Sequence, residues 1–91
     1  MTLEEQLKSL HVQLKKTSKW PSLYMFKFVM PNDESTVQQV NSLLPSTGKT
    51  SYKTSKDGRY IAVTNVARMP SAKSVVDVTS NVAKVPNVMI L

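Results

Sequence analysis

The sequence predicts an α+β sandwich: a four-stranded antiparallel sheet covered on one face by two helices, with an additional amphipathic helix at the N-terminus. Three observations predict it. Two strand–helix–strand units can be read between residues 23 and 91, and a hairpin joins them. The first and third strand segments are long and apolar, whereas the second is polar and the fourth short. Right-handed crossovers applied to this order put the apolar strands at the centre and the other two at the edges, in the order 4-1-3-2. Composition thus agrees with topology.

The elements follow in turn. Leu3, Leu7, Leu10 and Leu14 recur at 4-3-4 spacing and share one stripe of a helix. Thr2 with Glu5 reads as a capping box, Lys15, Lys16 and Lys19 suit the negative end of the helix dipole, and Pro21 stops it. Residues 1–19 are therefore assigned to this helix and residues 20–91 to the domain. The first strand is Leu23 to Met30, and Lys27 sets its parity. If Lys27 faces water, then Tyr24, Phe26, Phe28 and Met30 face the helices. Pro31 to Glu34 end the strand and open a helix capped by Asn32, with Val37, Val40, Leu43 and Leu44 on its inner stripe and Pro45 closing it. The second strand, Lys49 to Ser55, is polar and carries lysines, as an edge strand should.

Asp57-Gly58 supplies the hairpin turn. The third strand, Arg59 to Met69, is apolar at both parities. Ile61 and Val63 are expected inward, which makes Asn65 a core-facing polar residue in need of a hydrogen-bond partner. Ser71 caps a final helix built on Ala72, Val75, Val76, Thr79, Val82 and Ala83, and the crossover position supports it against its mediocre helix-forming valines. Pro86 ends that helix, and Asn87 to Leu91 form the last strand.

Ninety-one residues make one domain with a single modest core. Without cysteine there are neither disulfides nor thiolate metal sites. The start, MTLEEQLKSL, is acidic and not a secretory leader, and no stretch approaches the ~20 apolar residues of a spanning helix. A soluble cytoplasmic protein with no membrane contact is expected. The net charge of +6 is spread along the chain, four lysines before Trp20 and eight basic residues after it, which reads as a solvated basic surface rather than a polyanion site.

Two further segments and the strand-one opening carry a resemblance. Trp20-Pro21-Ser22-Leu23-Tyr24-Met25-Phe26-Lys27-Phe28, the hairpin Ser55-Lys56-Asp57-Gly58-Arg59-Tyr60-Ile61-Ala62-Val63-Thr64 and the ending Val85-Pro86-Asn87-Val88-Met89 resemble the YbeD-like family of small bacterial proteins. Asp57 and Asn65 depart from that pattern, and the N-terminal helix lies outside the shared core. The resemblance implies a ferredoxin-like βαββαβ fold, similar to the amino-acid-binding regulatory domains called ACT, with no established activity and no catalytic residues.

The residues themselves offer little chemistry. His11 is the only histidine and lies beside the leucine stripe, without a cysteine or carboxylate cluster. Of the six carboxylates, Glu4, Glu5, Asp33, Glu34 and Asp57 fall at helix starts or a turn, and Asp77 on a solvent face. No base stands ready to activate a serine or threonine, and two glycines are too few for a phosphate-cradling loop. No catalytic, metal or cofactor residue is assigned. A non-enzymatic binding or regulatory module is expected, acting on a protein or a small ligand.

Two surfaces are candidates. One is the second-strand edge and hairpin, Lys49, Tyr52, Lys53, Lys56 and Arg59, offered to a partner strand or a small acidic ligand; against this stands a lysine-guarded edge that merely deters aggregation. The other is the open sheet face with Leu23, Met25, Val29, Ala62, Val66 and Met89, too apolar to stay wet. The stripe Leu3, Leu7, Leu10 and Leu14 is expected to cover it, from its own chain or from a second copy in a homo-oligomer. The alternative is an RNA-binding domain that stacks a base on Tyr60 and holds phosphates with Lys27, Lys53, Lys56, Arg59 and Arg68.

Overall fold

A computed structural model describes residues 2–17 and 19–91. Its elements are α1 (Leu3–Thr17), β1 (Ser22–Pro31), α2 (Glu34–Leu43), β2 (Lys49–Thr54), β3 (Tyr60–Met69), α3 (Ala72–Ala83) and β4 (Met89–Ile90). The four strands form one antiparallel sheet in the order β2-β3-β1-β4. The long apolar strands are central and the polar and short ones are edges, as their composition requires.

Lys27 is exposed and the rings of Phe26 and Phe28 are buried, with Met30 beside them. Phe26 meets Tyr24 edge-on at 4.8 Å and lies stacked over Phe28 at 6.4 Å. From β3 the same face receives Val63, Asn65, Ala67 and Met69, with Ile61 half-buried. Val40 and Leu44 of the α2 region and Ala72, Val75 and Val82 of α3 close the core from above. Ser71 caps α3 reciprocally: its hydroxyl accepts from Ser74 N–H at 3.1 Å, and Ser74 Oγ accepts from Ser71 N–H at 3.3 Å.

The cap of α2 is Asp33, not Asn32. Asp33 Oδ2 accepts from the Thr36 N–H at 3.2 Å and from its hydroxyl at 2.9 Å. Asn32 is held elsewhere, donating its N–H to Arg59 O at 2.8 Å and its Nδ2 to Gly58 O at 3.1 Å. It continues the β1–β3 ladder one residue further and ties it to the hairpin, which leaves the next residue to cap the helix.

The N-terminal helix also lies elsewhere than expected. It packs against α3 in the helical layer, burying Leu14 and setting Leu10 on the core, with Leu7 half-buried and Leu3 exposed. It does not cover the open face of its own chain, where Leu23 and Met25 keep 69% and 60% of their surface exposed. The physical reason is the aromatic row of β1. Tyr24, Phe26 and Phe28 present an apolar flank on the helical side near β4; Leu10 faces it across a cavity, and Leu14 joins the core where α1 meets α3.

Candidate interaction surface

The open face is a lattice that strand register defines. Met25 lies beside Val66, and Val66 beside Lys49; Lys27 lies beside Thr64, and Thr64 beside Ser51. Met89, Val29, Ala62 and Lys53 form a row across all four strands. Leu23 next to Arg68 and Pro31 next to Tyr60 complete the ends. Two apolar patches, Leu23, Met25 and Val66 on one side and Val29, Ala62 and Met89 on the other, therefore flank a polar middle row of Lys27, Thr64 and Ser51, with Lys49, Lys53 and Arg68 beside them, and no position of this lattice holds a carboxylate. Met89 and Tyr60 are 57% and 49% exposed. Two shallow depressions flank Tyr60: one of about 340 Å³ with Val29, Pro31 and Met89, the other of about 230 Å³ with Val29, Lys53 and Ala62.

The second-strand edge sends its side chains to both faces of the sheet. Tyr52 lies opposite Val63 and therefore points to the helical side, whereas Lys49 and Lys53 point to the open face. Their backbone groups still lie along one sheet edge, and the hairpin closes with Ser55 N–H bonded to Tyr60 O at 2.9 Å. Lys56 and Arg59 are exposed in the turn, where Gly58 takes φ 74°. Arg59 is partly neutralised by Asp57 at 3.6 Å. The Ser55 hydroxyl, donating at 2.7 Å, and the Arg59 N–H hold the Asp57 carboxyl below its ordinary value.

His11 is half-buried on α1, and among the described residues no three His, Cys, Asp or Glu side chains gather as metal ligands would. Tyr24, Phe26 and Phe28 lie on the helical side, so Tyr60 is the one aromatic residue of the open-face lattice. Burial pushes the Tyr24 phenol above its usual range. A further cavity, about 100 Å³, lies beneath α1 and is lined by Leu10, Tyr24, Phe26, Phe28, Ile90 and Leu91, among others. Nothing in the sequence pointed to it, because it depends on where α1 docks. Among the described residues no helix is long and apolar enough to cross a membrane. No family model, curated protein or solved structure matches the chain.

Proposed function

We propose that this chain is a non-catalytic binding module whose open sheet face holds an acidic protein surface that also carries apolar groups. One observation carries the reading: exposed Leu23, Met25 and Met89 with half-buried Val29, Ala62 and Val66 form two apolar patches on either side of Lys27, and every charge of this lattice is positive. A second copy docked face to face would set Lys27, Lys49, Lys53 and Arg68 against like charges, so an acidic partner is favoured over self-association. The element order and sheet order support a ferredoxin-like assignment; the YbeD-like, ACT-like regulatory role in the cytoplasm is proposed on the sequence resemblance alone, with binding rather than chemistry transmitting the signal.

The test is capture from a nuclease-treated lysate of a bacterial cell by the wild-type protein and by two variants. Protein retained by wild type and by Tyr52→Glu on the opposite face, but lost with Met25→Glu and eluted by salt, supports the reading. Retention that survives Met25→Glu overturns it. Material lost on nuclease treatment, with affinity that falls steeply with salt and disappears in Tyr60→Ala, makes the module an RNA binder instead.

A further inference from the structure

The lane beside β1 is only half occupied. Lys27 O accepts from Leu91 N–H at 3.0 Å on the β4 side, whereas Asn32 N–H bonds to Arg59 on the β3 side. Backbone groups of alternate strand residues point the same way, so those of Leu23 and Met25, like those of Lys27, face the β4 lane. β4 pairs with β1 only at Phe28 and Val29. Among the described residues no backbone group reaches the N–H and C=O of Leu23 and Met25. The one hydrogen bond there is a 3.3 Å donation from Ser22 Oγ to Leu23 O.

This edge also lacks the protection its counterpart has. β2 presents Lys49 and Lys53, whereas Ser22 to Phe26 carry no charge and no proline. The lane leads directly from Leu91 to the cavity under α1, whose walls are Leu10, Tyr24, Phe26 and Phe28. A residue placed opposite Phe26 would direct its side chain to the same face as Phe26, into that space. A residue opposite Met25 would lie on the open face, diagonal to Lys27 and within reach of it.

We infer that the free edge of β1 accepts an extended segment of a protein partner, which runs antiparallel to β1, continues the lane of β4 and seats one aliphatic side chain in the cavity under α1. The backbone bonds to Leu23 and Met25 hold the segment, and the cavity and Lys27 select it: aliphatic residues at alternate positions, with an acid between them. This site shares Met25 and Lys27 with the open face but rests on the free backbone groups of β1, and it stands if that reading falls.

Display of random decapeptides against the intact protein tests it, with the selected peptide synthesised for NMR titration. The expected result is a peptide with alternating aliphatic residues that shifts the Leu23 and Met25 amides and slows their exchange. N-methylation of a peptide nitrogen that faces β1 should weaken binding about tenfold, the effect of one lost hydrogen bond, and methylation of its neighbour should not. Met25→Pro removes a donor only on the lane side, leaves the β3 ladder intact and should weaken binding similarly. The inference is overturned if no peptide is selected, if both N-methylations act alike, or if self-association alone perturbs these amides. Binding that is abolished by Lys49→Glu with Lys53→Glu yet indifferent to N-methylation also overturns it and leaves the open-face reading standing.

Discussion

The backbone of Gly48 lies so close to the Asn65 carboxamide that a Cβ at residue 48 would overlap it. Asn65 cannot retreat easily. It is 1% exposed, and its Nδ2 donates to Thr50 Oγ1 at 2.9 Å and to Pro45 O at 3.4 Å, while Oδ1 has no partner among the described residues. Gly48→Ala should therefore destabilise the protein by about 1–3 kcal/mol in urea denaturation. In Gly48→Ala with Asn65→Ala the overlap is gone, so the double variant should lose less than the sum of the singles by at least about 0.5 kcal/mol. Additive losses would show that the two do not meet. At the hairpin, the Asp57 carboxyl is lowered first by the Ser55 hydroxyl and then by the Arg59 N–H. Because its folded value is below the unfolded one, its contribution is present above the ordinary carboxyl value of 3.8 and fades as pH falls through the folded value. The melting difference between wild type and Asp57→Ala should accordingly be largest near neutrality and shrink in acid. A difference that grows in acid would reverse the sign.

At the scale of elements, α3 shows how a weak local preference is offset. Its valines are mediocre helix formers, but Val75, Thr79 and Val82 are buried on one stripe with Ala72, and the Ser71–Ser74 box satisfies its first amides. Ser71→Ala should cost about 1 kcal/mol in chemical denaturation, with the loss confined to stability and the sheet unchanged by circular dichroism. What the sequence made legible about such elements follows from periodicity. One exposed lysine sorted the whole of β1, and the same alternation placed Asn65 inward on β3, because a strand has only two faces. What it did not make legible depends on neighbours. A leucine stripe states that a helix buries one side but not against what, so the sequence points to the open face, of its own chain or of a second copy, whereas α1 takes the flank beside α3. Asn32 and Asp33 are equally good caps in isolation, and only the reach of Asn32 to Gly58 and Arg59 decides between them. The unpaired half of β1 was illegible for the same reason: it depends on β4 pairing at two residues only.

The molecule as a whole has two apolar surfaces that the chain treats differently. On the helical side, α1 extends the layer beside α3 and brings Leu14 into the core at 9% exposure. On the other side, Leu23 and Met25 stay in water although nothing about their composition distinguishes them from core residues. If the open face serves a partner and not the fold, the two surfaces must answer differently to the loss of apolar groups. Leu14→Ala should cost about 2–4 kcal/mol, since it removes buried methyl groups and leaves a gap between α1 and the sheet. Val12→Ala, on the exposed side of the same helix, should change little. Leu23→Thr with Met25→Thr keeps strand-compatible side chains on exposed positions and should leave stability within about 0.5 kcal/mol in urea denaturation. A large loss from the threonine pair that deepens as protein concentration rises would mean that a second copy covers this face in solution. A large loss independent of concentration would mean that α1 or another part of the chain folds over it. Stability that is indifferent to the threonine pair while partner capture is lost separates the roles: the leucine stripe of α1 then holds the fold together, and the bare strands of the sheet do the binding.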